Sequence, residues 1–279
     1  MCLIASQRKL GNGEILAKEA VSAAGEDCQL ELLRMADLNL GQCRGCYTCL
    51  IPGKQCPIDD RLYFLVDKLI AADGIILTAP CYALGPAAVT KLLSDRIIAL
   101  ARFHQEFWGK PCIVIATAGI AGWEGYTLSA LNTTVRIIGF NLKDIHIFTG
   151  ALPGEGIQGN GALQRVHEMG RALFGQARLA REGECPACLS EAWKFADSQT
   201  IICSVCGQKA GLVVTSAGIQ RVYRESGENF RLATLEHHFQ HWMPGKVQEF
   251  IARQKELAEI RGRYKEHGVW LKPEQNRQS

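Results

Sequence analysis

The chain has 279 residues, more than one average domain needs, and its 47% hydrophobic and 21% charged content is that of a globular protein with material for a sizeable core. The net charge of +3 is small, with 16 basic and 16 acidic residues through position 175 and 15 against 12 after it, so nothing demands nucleic acid as a partner. No uncharged apolar run is long enough for a bilayer, and Met1 to Ala5 lacks the length and basic flank of a secretory signal, so the twelve cysteines point to a reducing, cytoplasmic setting.

Residues 2–5 read as a short apolar strand, followed by a polar glycine loop over 6–13 and a helical pattern through Ile15, Leu16, Ala20 and Val21. Strand, glycine loop and helix together suit a phosphate, because the N–H groups at a helix start carry partial positive charge. Ser6 and Asn12 can add hydrogen bonds there and Arg8 a full charge; a plain turn and cap is the alternative. Residues 28–35 alternate as a second strand.

The next loop carries Cys43, Cys46, Cys49 and Cys56, the last followed by Pro57. This C-x2-C-x2-C-x6-C-P run is close to the ferredoxin pattern whose thiolates hold a cubane iron-sulfur cluster. Two-residue gaps on a tight loop let sulfurs converge on one object, and Gly45 takes backbone angles closed to other residues. Zinc fits less well, since its sites present two paired knuckles, and disulfides through so short a loop would be strained. Free thiols are the remaining reading.

Asp59 and Asp60 open a helix with apolar positions Leu62, Phe64, Leu65, Leu69 and Ile70. Residues 73–79 and 111–117 are apolar on both faces, as expected of central strands in a parallel sheet. Each ends in a loop, 80–85 and 118–125, and each is followed by a helix, near 89–100 and 126–138. A fifth strand falls at 142–148, a glycine-rich connection at 150–161 and a last helix at 162–181. Strands alternating with helices predict a doubly wound, five-stranded parallel α/β sheet over residues 1–180, with ligands beyond the strand carboxyl ends.

These residues resemble the iron-sulfur flavoproteins within the wider NADPH-dependent FMN reductase and flavodoxin-like group. The resemblance covers about residues 1–175. It rests on Ser6-x-Arg8 with Gly11-Asn12, the four-cysteine loop before Asp59-Asp60, the run from Ala72-Asp73-Gly74 to Pro80-x-Tyr82, Lys91 with Asp95-Arg96, and Thr117-Ala118-Gly119. It departs at Ala5, where relatives carry glycine, and at Gly13, where they carry a hydroxyl. The resemblance implies a flavodoxin-like fold and bound FMN. By position, Ser6, Arg8 and Asn12 would hold the phosphate; Pro80, Cys81, Tyr82, Ala83 and Gly85 would edge the isoalloxazine, with Ala118, Gly119 and Gly122 closing the other side. It also implies a homo-oligomer, with NAD(P)H or a redox carrier as partner. Tyr82, Trp123 and Glu124 could touch flavin or substrate; packing is the alternative.

Cys185, Cys188, Cys203 and Cys206 form C-x2-C-x14-C-x2-C, the spacing of a zinc ribbon over 181–225, with short strands in 192–203 and 211–214. A rubredoxin-like iron site is the alternative. Beyond it, 226–279 reads as a helical tail that docks on the body or a neighbouring subunit through Val247, Phe250, Ile251, Leu257, Ala258, Ile260 and Tyr264. His237, His238 and His241 read as surface or packing residues. The sequence thus predicts an FMN-dependent oxidoreductase with a 4Fe-4S cluster in the 43–56 loop. The alternatives are a cluster-free FMN or quinone reductase and a redox-sensing module in which the ribbon binds a partner.

Overall fold

A computed structural model describes residues 1–265 other than 217, 226 and 228, together with residue 268. In chain order its first sheet takes β1 (Cys2–Ile4), β2 (Leu32–Arg34), β3 (Ile75–Tyr82), β4 (Gly85–Pro86), β5 (Pro111–Ala118) and β6 (Asn141–Thr149). The spatial order is β2-β1-β3-β5-β6, parallel throughout, with β4 folding back antiparallel on β3. This is the doubly wound sheet that the alternating pattern implied, in the flavodoxin-like order that the family resemblance implied, with the direction of winding reversing between β1 and β3.

Strand alternation sends successive side chains to opposite faces. Cys2, Ile4, Ile76, Ile113 and Ile115 pack with Leu16, Ala17 and Ala20 of α1 (Asn12–Ser22) and Val166, Met169 and Leu173 of α7 (Ala162–Phe174). Leu3, Ala5, Leu77, Val114 and Ala116 face the other way. There they meet α2 (Leu62–Ala71), α3 (Ala88–Asp95), α4 (Ile97–Leu100), α5 (His104–Phe107) and α6 (Thr127–Ile138). Each fully buried Leu, Ile or Val contributes about 1.5–3 kcal/mol. The α1 and α7 backbones touch at Gly170, where a Cβ would stand 1.9 Å from the Ala20 carbonyl oxygen.

Several elements differ from the sequence expectation. β2 is three residues long because β1 offers it only Cys2–Ile4 as partners. The helix expected at 89–100 is broken at Arg96, which is buried and turned inward. α7 stops at Phe174; Arg178 then donates its N–H to the Lys143 carbonyl at 2.9 Å, so the chain runs along β6 instead. The second sheet holds β7 (Trp193–Phe195), β8 (Thr200–Cys203), β9 (Lys209–Thr215) and β10 (Gly218–Glu225), all antiparallel. Residues 192–203 are therefore a hairpin, and β10 was not foreseen.

Buried polar ties fix this ribbon to the first sheet. Asp144 of β6 accepts from Arg165 at 2.6 Å and Arg178 at 2.8 Å, and Arg178 also bridges to Glu184 at 2.6 Å. Asn132 of α6 donates to the Cys188 carbonyl at 2.7 Å. The tail comprises α8 (Leu232–Glu236), a π-helical turn (His237–Trp242), α9 (Met243–Ala252) and α10 (Gln254–Gly262). It docks through Leu235, Phe239 and Met243, which join the main core, whereas Phe250, Ile251, Ile260 and Tyr264 stay exposed. The part of the expected tail at 266–267 and 269–279 lies outside the described residues. Among those residues no helix is long and apolar enough to cross a membrane.

Two outcomes follow. Gly170→Ala forces α1 and α7 apart and should cost about 2–3 kcal/mol, read as a lower denaturant midpoint at unchanged slope; an unchanged midpoint contradicts the contact. His146 lies edge-on to Phe148 at 4.7 Å, and burial, then Arg165 and Arg181, push its pKa down to about 4. The unfolded chain takes up this proton below pH ~6.5 and the folded chain does not, so stability falls as pH drops from ~6.5 to about 4. His146→Phe should reduce the slope of that limb in midpoints measured against pH, and an unaltered limb rejects the assignment.

Candidate functional site

A cleft of about 220 Å³ opens at the carboxyl ends of β1, β3 and β5, beside the switch point. Its floor is the start of α1. Among the described residues no hydrogen bond takes the backbone N–H of Asn12 or Gly13, so both are open to an anion as helix-start donors. Ser6 and Arg8 line the same end. The Arg8 guanidinium donates to the Ala151 carbonyl at 2.9 Å, and the Ser6 hydroxyl accepts the Arg8 N–H at 3.2 Å. Thr78, on β3, is buried against Gly13 with its hydroxyl unpartnered.

The loop keeps this shape because Glu14 clamps it. Its carboxylate accepts the N–H of Leu10 at 3.0 Å, where φ is 48°, and pairs with Lys18 at 2.9 Å and Arg34 at 2.8 Å. Hydrogen bonds from Lys18 and then Arg34 hold the Glu14 carboxyl below its usual range against the opposing effect of burial.

On the other side, Ala83 and Leu84 form the β3–β4 turn with φ of 49° and 66°. Left-handed backbone costs a non-glycine residue about 1–2 kcal/mol, and the neighbouring loop keeps it in place. Leu84 accepts the N–H of Tyr126 at 2.9 Å, and the Cys81 thiol donates to the Trp123 carbonyl at 3.4 Å. Tyr82, Ile120, Trp123, Tyr126 and Leu152 are exposed here, a cluster of large apolar side chains on the loops at this edge.

The cysteine loop follows β2. Cys43, Cys46, Cys49 and Cys56 line one small pocket with Ile58 and Arg96. Beneath it, the Arg96 and Asp60 side chains are each 1% exposed and pair at 2.5 Å. Arg96 also donates to the Gly41 carbonyl at 3.0 Å and the Cys56 sulfur at 3.3 Å, while Asp60 accepts the N–H groups of Gly41 and Leu62. Both ends of the loop thus hang on one ion pair. Burial works to raise the Asp60 pKa, but Arg96 and the two N–H groups prevail and hold it low. Arg102 ties the loop's middle through the carbonyls of Cys49 and Lys54. The Thr48 hydroxyl donates to the Cys46 sulfur at 3.4 Å, favouring its thiolate.

The C-terminal cysteines are closed in. Cys185 and Cys206 sulfurs lie 3.6 Å apart, Cys188 and Cys203 3.5 Å, and all four fall within 4.8 Å of one another, buried. A Zn–S bond of about 2.3 Å gives tetrahedron edges of about 3.8 Å, so the set fits one tetrahedral ion. The loop cysteines do not form so tight a group; a cubane, binding one cysteine per iron corner, spreads its ligands more widely. His237, His238 and His241 form no such group among the described residues; His238 stacks on Trp242 at 4.9 Å.

Residues 1–143 match the family described as NADPH-dependent FMN reductase. The chain belongs to that family. Like its members it is a flavin-dependent oxidoreductase. It is 26% identical over 262 residues to flavone synthase cfoJ of Aspergillus candidus, covering 80% of this chain and 81% of that one. It is 41% identical over 92 residues to an iron-sulfur flavoprotein of Methanocaldococcus jannaschii, covering 33% and 47%. The solved structure of a flavone reductase superposes with a TM-score of 0.69 at 16% identity, over 98% of this chain and 99% of that one, which shows a shared fold.

For a member of this family the cleft suits the phosphate of FMN: two free helix-start N–H groups, a serine, an arginine and a buried hydroxyl without a partner. Of the residues that the sequence singled out, Ser6, Arg8, Asn12, Pro80, Cys81, Tyr82 and Gly119 line it. Asn12 does so with its side chain engaged, donating to the Gly150 carbonyl at 2.9 Å and accepting from Gly154 and Gly156, so only its backbone faces an anion. Ala83, Gly85, Ala118 and Gly122 are not in the lining. Ala83 makes the turn, Gly85 makes room for the Tyr126 ring, Ala118 ends β5, and Gly122 bends the loop at φ 81°. Thr78, Thr117, Gly150 and Ala151 line the cleft and were missed. The signal for the threonines was present, as lone hydroxyls at the carboxyl ends of apolar strands.

Arg96→Met leaves Asp60 buried without its cation and should cost about 3–5 kcal/mol. The Asp60 contribution is present above the unfolded pKa of about 3.9 and is lost as pH falls through the lower folded value. In Asp60→Asn that acid limb should shrink. Wild-type denaturant midpoints in Arg96→Met would contradict the role of the pair.

Proposed function

We propose that this enzyme passes reducing equivalents between NADPH and an acceptor, using FMN in the carboxyl-edge cleft and a 4Fe-4S cluster on Cys43, Cys46, Cys49 and Cys56. The observation that carries it is the single pocket shared by those four cysteines, with the buried Arg96 guanidinium at 3.3 Å from the Cys56 sulfur. The guanidinium sets a positive charge beside a ligand sulfur, where a thiolate-held cluster carries negative charge. FMN, when bound, exchanges electrons in pairs or singly, whereas a cluster carries one. The chain's part is to hold both at one sheet edge, with Ser6, Arg8 and the Asn12 and Gly13 N–H groups on the phosphate. Cys185, Cys188, Cys203 and Cys206 hold zinc, which folds the ribbon. The exposed apolar side chains at the cleft support a homo-oligomer whose second copy covers them.

A second reading concerns the acceptor. Of two relatives that span 80% and 98% of the chain, one is named for making a flavone and the other for reducing one. They favour a planar aromatic carbonyl compound as the organic substrate, exchanging electrons with the flavin directly.

Anaerobic purification followed by metal, sulfide and flavin counts tests the proposal. One FMN, one zinc and about four irons and four sulfides per chain are expected. Flavin with zinc alone would reduce the assignment to a cluster-free flavin reductase.

A further inference from the structure

A second cleft, of about 700 Å³, lies between the cysteine loop and the tail. One wall is Gly45, Cys46 and Tyr47, and the same three residues also line the pocket that the four loop cysteines share. The wall between the two cavities is therefore a single stretch of chain. Gly45 and Tyr47 both have left-handed backbone, φ 61° and 55°, which a bulky residue seldom adopts, and Tyr47 is left 46% exposed.

The opposite wall comes from the π turn and α9. Trp242 and Phe250 are 49% and 46% exposed, yet neither is loose. Trp242 lies parallel to His238 at 4.9 Å, and the Arg261 guanidinium sits over Phe250 at 5.8 Å. Among the described residues, the one cation in the cleft's lining is Lys246. Its partner Glu249 is also paired with Arg253 at 2.9 Å, so Lys246 can turn to a ligand without stranding that carboxylate. Among the described residues, three aromatic rings, two of them held by stacked neighbours, and one ammonium whose carboxylate partner has a second cation share a space sized for a single small molecule, and together they define a ligand class.

We propose that this cleft binds a planar aromatic molecule bearing a carboxylate or acidic hydroxyl, its ring among Tyr47, Trp242 and Phe250 and its anion on Lys246. The ligand then lies across one stretch of chain from the cysteine pocket. Its use as a redox partner of that pocket rests on the cluster reading above; the binding does not.

Calorimetric titration of the full-length, FMN-loaded protein with hydroxynaphthoate, and with its uncharged methyl ester, tests this. The acid should bind wild type. Trp242→Ala should weaken it about tenfold or more, and Lys246→Met should weaken the acid about tenfold while leaving the ester nearly unchanged. Lys246 is exposed, so that variant stays informative even if Trp242→Ala folds poorly. Cys43→Ser/Cys49→Ser protein should bind the acid as wild type does, whatever its iron content, which separates this site from the cluster proposal. Wild type that ignores the acid, or Trp242→Ala and Lys246→Met proteins that bind it unchanged, overturn the proposal. So does binding that disappears when FMN alone is removed, which places the probe elsewhere. A dimer that excludes the probe and is broken by Trp242→Ala would also overturn it, in favour of a second copy in the cleft.

Discussion

A parallel sheet returns every crossover to the same edge, and this constraint shapes the whole molecule. The loops after β1, β2, β3 and β5 all emerge at the carboxyl ends of their strands, and between β1 and β3 the chain leaves for opposite faces. That divergence opens the cleft lined by Ser6, Thr78 and Thr117. It also places the cysteine loop, the connection after β2, at the same edge without any sequence near that cleft having to specify it. A family of flavin enzymes can gain or lose cysteines there while the sheet stays unchanged.

Loops of this length need ties, and the chain supplies them as buried polar groups. Asn12 uses both ends of its amide to hold the loop after β6, Glu14 holds the loop after β1, Arg96 and Asp60 hold the cysteine loop, and Arg178 with Asn132 holds the ribbon. Buried pairs of this kind add little net stability, because desolvation offsets much of the attraction. Their effect here is to select one arrangement of long loops. The same logic accounts for the break between α3 and α4: the chain gives up one continuous helix so that Arg96 can reach Asp60, Gly41 and Cys56 at once.

The parts of the fold legible in the sequence were those written in local pattern. The apolar runs of β3 and β5, the helical spacing of α1 and α2 and both cysteine groups can be read without knowing what lies across the sheet. What could not be read depends on distant partners. β2 is short because β1 is short; α7 ends where the Lys143 carbonyl takes over; β10 exists because β9 presents an edge to it. Ser6 and Arg8, singled out by residue type and position, line the cleft. Asn12 lines the same cleft, and its amide oxygen holds glycine N–H groups more than a hundred residues away, a contact that nothing near Asn12 in the sequence signals. The tail was expected to dock by its most regular apolar stripe, yet it docks by Leu235, Phe239 and Met243, whose partners include the ring of His104 at 6.0 Å from Phe239.

The central claim is that one chain holds two chemically different sulfur sites, an open one for iron beside the flavin edge and a closed one for zinc in the ribbon. Anomalous diffraction from anaerobically grown crystals, collected at the iron and zinc edges, addresses it directly. The account predicts iron density ringed by Cys43, Cys46, Cys49 and Cys56 and a lone zinc peak among Cys185, Cys188, Cys203 and Cys206. Iron in the ribbon with none at the loop would contradict it.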